Sequence, residues 1–351
     1  MVNNRGFSAV DLFCGVGGLT HGLLEAGIPV KAGIDIDEGC RYAYEANNDA
    51  PFIRKDVTSL SSGLARELYD DDADERILVG CAPCQPFSSH TQKMKNRTSD
   101  AKWTLLYSFS RLVRSVEPEI VSMENVPNLV RYGPFKDLVS TLERRGYFVN
   151  SSIVNCERYG VPQYRRRLVL LASKLGAITL PSPYHAEGEF VTVRDTIEHL
   201  DKVGNGEVSK KDPLHRSAKL SPINLKRILE SKAGGSWRDW SEELRSSCHR
   251  KTSGSSYTAS YGRMVWDSPA PTITTQFYNY GSGRFGHPEQ NRALTVREGA
   301  LLQTFPEYYE FIDPSRAQMI RYVEMAMYIG NAVPIKLGEV VGSAIRKHVG
   351  G

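Results

Sequence analysis

The chain has 351 residues, 40% of them hydrophobic and 24% charged, which suits about two globular domains and excludes wholesale disorder. A formal net charge of +4 excludes neither a nucleic acid nor a small-molecule substrate, because the placement of charge matters more than its sum. No apolar run reaches the roughly 18 residues of a membrane span, the N-terminus lacks an apolar signal region, and six scattered cysteines read as free thiols, so a cytoplasmic location is expected.

In chain order, residues 9–13 (Ala-Val-Asp-Leu-Phe) read as a short buried strand. The glycine-rich turn Cys14-Gly15-Val16-Gly17-Gly18 follows, then a helix carrying Leu19, Leu23 and Leu24 and stopping at Gly27. Val30–Ile34 reads as a second strand ending at Asp35, and Pro51–Lys55 as a short extended stretch ending at Asp56. Arg76–Gly80 reads as a strand that ends beside Cys81 and Cys84. Residues 103–116 place Leu105, Leu106, Phe109, Leu112, Val113 and Val116 on one helical face, with Pro118 as the stop. Glu119–Met123 reads as a strand ending at Glu124, and two more strands are expected near Asn150–Asn155 and Arg167–Ala172. Alternating strands and helices with polar residues at strand ends predict an α/β fold with a mostly parallel, doubly wound sheet. Ligands of such sheets bind at the carboxyl ends of the strands, where Asp35, Asp56, Cys84 and Glu124 fall.

After about residue 175 the composition changes. The stretch 176–290 is rich in Gly, Ser and Pro, with weak periodicity and turn-like runs such as Gly204-Asn205-Gly206, and is read as a smaller, irregular second domain. Pro334 followed by Leu337, Val340, Val341, Ala344 and Ile345 predicts an amphipathic helix able to pack back on the first domain.

Chemistry-bearing residues cluster at these strand ends. The first turn lacks the third glycine of the dinucleotide fingerprint, which weakens a pyrophosphate-binding reading. Asp35 could accept hydrogen bonds from both hydroxyls of a ribose, and Asp56 could receive an adenine amino group. A cofactor with adenosine but no phosphate, such as S-adenosylmethionine, fits that arrangement. Cys81-Ala82-Pro83-Cys84 is formally a C-x-x-C. A zinc site wants a second pair of ligands, and Cys14, Cys40, Cys156 and Cys248 are isolated. A thioredoxin-like site wants a different setting from Gln85-Pro86-Phe87-Ser88. A single nucleophilic Cys84 is left, with Cys81 in a structural role. Glu124, at the end of a buried strand, is a candidate proton donor to a bound ring. In Gln163-Tyr164-Arg165-Arg166-Arg167, strand phase points Arg165 and Arg167 the same way.

Together these residues resemble the cytosine-5 DNA methyltransferase family of the bacterial or phage restriction-modification type. Asp11–Gly18 looks like its cofactor loop, Pro83–Ser88 its nucleophile motif, Glu124-Asn125-Val126 its acid motif and Tyr159–Arg167 its Q-x-R-x-R motif. Arg292–Glu298 with Leu302–Pro306 looks like the motif following the recognition region, and Gly330–Pro334 like the last motif, which returns to the cofactor pocket. The resemblance covers roughly residues 8–172 and 268–336. In the departures, Cys81-Ala82 replaces a glycine- or proline-rich pair before Pro-Cys, and only Pro271–Thr275 matches in the second domain.

The resemblance implies a Rossmann-like methyltransferase sheet, a catalytic and cofactor-binding domain of residues 1–175 plus 325–351, and a target-recognition domain of 176–324. It implies that Cys84 adds to C6 of a flipped-out cytosine in a specific duplex sequence, with Glu124 at N3, Arg167 at O2 and Arg165 supporting. S-adenosylmethionine gives up its methyl group to C5 and leaves as S-adenosylhomocysteine, with no metal. The cofactor pocket would comprise Phe13, Cys14, Gly15, Gly17, Gly18, Leu19, Asp35, Ile36, Asp56, Val57, Pro83, Leu105, Asn331 and Ala332. DNA contacts would come from Gln85, Ser88, Lys93, Lys95, Arg97, Thr272, Thr274 and Arg284, with Ser89–Lys102 as a loop closing on DNA. The expected partner is double-stranded DNA, with a cognate restriction endonuclease acting on the same sequence, no membrane, and a monomeric enzyme. A tRNA cytosine-5 methyltransferase built on the same motifs is the alternative.

Overall fold

A computed structural model describes residues 6–70, 73–83, 103–251, 259–315 and 321–350. Its strands are β1 (Phe7–Leu12), β2 (Val30–Asp35), β3 (Phe52–Arg54), β4 (Glu75–Gly80), β5 (Ile120–Asn125), β6 (Phe148–Asn155), β7 (Gln163–Tyr164), β8 (Arg166–Ser173) and β9 (Ala270–Pro271). Seven of them form one sheet in the order β3-β2-β1-β4-β5-β8-β6, while β7 and β9 pair separately. The pairs from β3 to β5 are parallel, as expected. β8 runs antiparallel to both β5 and β6, because β6 and β8 are joined by a short excursion that leaves no room for a crossover helix.

Alternation along each strand decides which core a side chain enters. Ala9, Ile77, Ile120, Val169 and Leu171 face one side. Their neighbours Val10, Leu78, Val121, Leu168 and Leu170 face the other. Both faces are therefore covered, the signature of a doubly wound sheet. On the first side lie Leu19 and Leu23 of α1 (Gly18–Glu25) and, further along the chain, Leu337, Val341 and Ile345 of the C-terminal helix. The helices α2 (Arg41–Asn47) and α3 (Ser62–Glu67) flank β3. On the second side, α4 (Thr104–Val116) contributes Leu106, Phe109, Leu112 and Val113, and α5 (Gly133–Arg144) contributes Leu138 and Leu142. The helix α4 stops at Glu117, whose φ of 52° is left-handed, one residue before the expected stop at Pro118.

The irregular stretch contains α6 (Val193–Ile197) and α7 (Pro222–Glu230), and a small core of Ile228, Trp237, Trp240, Leu244, Tyr280 and Ala293. Beyond it, α8 (Val296–Leu302) and α9 (Tyr322–Asn331) rejoin the first core, in which Ile273, Phe277, Leu294, Leu302 and Phe305 are buried. The helix α10 (Ile335–Gly350) starts directly after Pro334, as the sequence predicts. None of the described helices is long and apolar enough to cross a membrane.

Candidate active site

The carboxyl ends of β2, β1, β4 and β5 lie side by side, with Asp35 at the end of β2, Cys81 just past the end of β4 and Glu124 near the end of β5. After β1 the chain turns through Phe13 (φ 62°) and Gly15 (φ 52°) to Gly17 (φ 88°), which precedes α1. A Cβ on Gly17 would lie 2.5 Å from Asn48 Nδ2, so both conformation and space require glycine. A Cβ on Gly18 would lie 2.2 Å from the Val333 carbonyl oxygen, which brings the 330–334 motif onto the cofactor turn. Cys14 and Leu19 are buried in the core, so only their backbone is placed to meet a ligand.

Asp35, at the end of β2, is half-buried. Its Oδ2 accepts from Gly15 N (3.0 Å) and its Oδ1 from Asp37 N (3.0 Å). Burial raises its pKa, and the two N–H groups oppose that shift. Next to it Ile36 is 62% exposed, so an apolar platform stands beside an acceptor, the pairing that a nucleoside's base and ribose hydroxyls require. Asp56 Oδ1 accepts from Thr58 N (2.8 Å), Val57 is buried, Leu105 is half-buried in the first turn of α4, and Pro83 and Asn331 are exposed. These residues fit an adenosine-containing cofactor, and replacing Asp35 by Ala is expected to weaken S-adenosylmethionine binding by about tenfold or more. Calorimetric titration checks this, and unchanged affinity would remove Asp35 from the pocket.

Asp11 was not singled out from sequence beyond its motif. It is fully buried beneath the turn, with Oδ2 accepting from Thr20 Oγ1 (2.8 Å) and Oδ1 without a hydrogen-bond partner among the described residues. Burial pushes its carboxyl up to about 7 against the Thr20 hydrogen bond. A folded pKa above the unfolded one means a contribution fully present below the unfolded value and lost as pH rises through about 7. Asp11→Asn should therefore gain thermal stability relative to the native protein as pH rises from about 4 to about 7, and the difference should level off above that. A melting-temperature difference that does not change with pH would refute this.

Glu124 ends β5 and is buried. Its Oε2 accepts from Cys81 Sγ at 2.8 Å. Its Oε1 lies 2.7 Å from Arg167 Nε, an ion pair without an in-line N–H···O hydrogen bond. Arg167 Nη1 donates to the Arg166 carbonyl (2.7 Å). Arg165 points into the protein. Its Nη1 donates to Ile273 O (3.1 Å), its Nη2 to Ala332 O (3.3 Å), and burial, then the charge of Arg167, lowers its pKa to about 10. Gln163 acts alongside it. Its Nε2 donates to Leu302 O and Gln303 Oε1 (both 2.8 Å), and its Oε1 accepts from Ile273 N (3.0 Å). Thus Arg167 faces Glu124, whereas Arg165 and Gln163 tie together segments distant in sequence.

Thr272, Thr274 and Arg284 line one cleft of about 630 Å³ with Tyr164, Met264 and Phe285. Tyr164 on this wall had no assigned role from sequence; its position between Gln163 and Arg165 was the available signal. Cys84, Gln85, Ser88, Lys93, Lys95 and Arg97 lie outside the described residues.

The chain belongs to the C-5 cytosine-specific DNA methylase family, whose model matches residues 7–347. It is a DNA cytosine-5 methyltransferase, and S-adenosylmethionine is its methyl donor. It is 48% identical over 347 residues to the type II methylase M.HgiDII of Herpetosiphon aurantiacus, covering 98% of this chain and 96% of that one. It is 33% identical to the type II methyltransferase M1.HphI of Haemophilus parahaemolyticus, covering 96% and 86%. In fold it is similar to a solved DNA modification methyltransferase encoded within an E. coli prophage (TM-score 0.74, 20% identity, 99% of this chain and 100% of that one). The Entamoeba histolytica methyltransferase EhMeth is another structural neighbour (TM-score 0.70, 16% identity, 99% of each chain).

Proposed function

We propose that the enzyme methylates C5 of a flipped-out cytosine in a specific duplex sequence through a covalent bond between Cys84 and C6. The observation that carries this reading is Glu124, buried near the strand end, in contact with Cys81, which precedes Cys84 by three residues in the sequence, and charge-paired with Arg167. Cytosine C5 is a poor nucleophile. Addition of the Cys84 thiolate to C6, with Glu124 hydrogen-bonded at N3 and Arg167 at O2, gives C5 enamine character. Asp35, Ile36, Asp56 and the Gly15–Gly18 turn would hold S-adenosylmethionine, which would supply an electrophilic methyl group to C5. Loss of the C5 proton and expulsion of the Cys84 thiolate then restore the ring. The target carbon is out of reach inside a duplex, so the base must leave the stack.

In this reading, residues 1–175 plus 325–351 carry catalysis and 176–324 carry recognition, with Thr272, Thr274 and Arg284 facing DNA and Lys93, Lys95 and Arg97 adding phosphate contacts. The kinship with type II methylases supports a place in a restriction-modification system beside an endonuclease of the same specificity. The enzyme acts as a monomer, since one flipped base needs one active site. Duplex DNA with 5-fluorocytosine at the target should trap an adduct stable to denaturation. No adduct from an enzyme that methylates the normal duplex would overturn the covalent route. Bisulfite sequencing of DNA from cells expressing the chain reads out the target sequence, and methyl transfer to tRNA but not to duplex DNA would overturn the DNA reading.

A further inference from the structure

The strands β4 and β5 pair in parallel, with Gly80 opposite Met123. The next residues, Cys81 and Glu124, therefore lie side by side, Cys81 just past the end of β4 and Glu124 still paired with Val169 of β8. The backbone around Cys81 is fixed from two directions. Cys81 N donates to Leu12 O (3.3 Å) at the end of β1, and Asn125 Nδ2 donates to Ala82 O (3.0 Å) from the end of β5. This stitching aims the thiol at Glu124, where Sγ–H donates to Oε2 at 2.8 Å.

The two oxygens of Glu124 are held differently. Arg167 brings positive charge to Oε1 at 2.7 Å, but its N–H is not in line. Charge alone holds a carboxylate near a place without fixing its plane. A hydrogen bond is directional and weakens steeply away from linearity. Among the described residues, the thiol makes the directional contact to this carboxylate. A donor on Oε2 sets the orientation of the group both as a carboxylate, which only accepts, and as the acid that would donate to N3.

We propose that Cys81 is a positioning residue: its thiol fixes the plane of the Glu124 carboxylate so that the carboxylate meets the cytosine ring. The inference rests on the reading of Glu124 as the acid that faces cytosine. Cys81 does not touch the substrate and acts only through Glu124.

The test is steady-state methyl transfer to unmethylated genomic DNA by the full-length enzyme. Cys81→Ala, Cys81→Ser and Glu124→Gln are compared with the native protein, each with its melting temperature. Cys81→Ala should lower kcat by about threefold to tenfold, the worth of one hydrogen bond, with KM for DNA and affinity for S-adenosylmethionine unchanged. Cys81→Ser, which keeps a donor, should recover most of the loss. Should the alanine variant melt early, Cys81→Val fills the space without the donor and should show the same fall in kcat. Native kcat in the alanine or valine variant overturns the proposal, as does a serine variant no faster than alanine. Glu124→Gln separates the two levels. If it is impaired while Cys81→Ala is not, only the role of Cys81 falls; if it retains native activity, the reading of Glu124 falls and takes this proposal with it.

Discussion

Replacing Cys84 by Ala should abolish methyl transfer, and replacing Glu124 by Gln should lower kcat by about 10²- to 10⁴-fold, the range for loss of a positioned acid–base group. The two variants should differ in kind. Without the thiolate there is no C6 adduct, so trapping with 5-fluorocytosine DNA should fail completely while DNA and S-adenosylmethionine still bind. Glu124→Gln keeps the nucleophile and the shape of the acid. It retains an oxygen for a donor on one side but loses the charge that pairs with Arg167 at 2.7 Å. Slow adduct formation with intact binding is therefore expected. Rapid-quench measurement of adduct formation distinguishes the cases, and a Cys84→Ala enzyme that still forms the adduct would end the assignment of the nucleophile.

Arg292→Ala should cost about 3–5 kcal/mol, the penalty for stranding a buried charge, and lower the melting temperature by on the order of 10 °C. Arg292 and Glu298 are fully buried, and their two hydrogen bonds are each 2.7 Å. Glu298 also closes the capping box that starts α8, accepting from Thr295 N at 2.7 Å while Thr295 Oγ1 accepts from Glu298 N at 3.1 Å. Losing Arg292 thus disturbs a helix as well as an ion pair. Burial alone would raise the pKa of Glu298, but Arg292 overrides it and holds the carboxyl at about 2. A depressed carboxyl contributes stability above its unfolded pKa and loses it as pH falls through the folded value. The pair's contribution should therefore decline between about pH 4.5 and about pH 2. His287, buried beside it, is held down to about 4 mainly by burial. Its contribution is present above about pH 6.5 and is lost as pH falls to about 4, earlier in an acid titration than that of Glu298. Thermal melts across this range check both, and an Arg292→Ala variant that melts within a degree or two of the native protein, as a mere surface change would, would refute the ledger.

Much of this architecture can be read from residues. Short apolar runs ending in Asp35, Glu124 or the Cys81–Cys84 turn mark parallel strands and their ligand-facing ends, because a strand buried on both faces has to be apolar until it meets the site. The face of α4 is equally legible from its spacing. The antiparallel placement of β8 is not, since its composition would suit either direction and only the short link from β6 decides it. The helices α2, α3 and α5 escape notice, being short or, in α5, mixed with polar residues. At the site, type and spacing single out Glu124 and Arg167. The resemblance ranks Arg167 ahead of Arg165 for the ring but does not say where Arg165 goes instead, which requires knowing that it reaches the Ile273 and Ala332 carbonyls. Nor do type and spacing link Cys81 to Glu124, because that contact spans two strands.

The pairing of β7 with β9 has a consequence for how such a chain can change. Gln163 lies opposite Ala270 and Tyr164 opposite Pro271, and Gln163 and Arg165 clasp Ile273, Gln303 and Ala332 from the same place. The long excursion between these strands begins and ends at one buried knot. Closing a loop costs only about 0.6 kcal/mol more for each doubling of its length. Lengthening, trimming or rewriting the part of that excursion which lies beyond β8 and packs on its own small core, around Ile228, Trp237 and Trp240, therefore leaves the frame that holds Glu124 and Arg167 almost untouched. A catalyst with such a clasp can acquire a new address without rebuilding its chemistry.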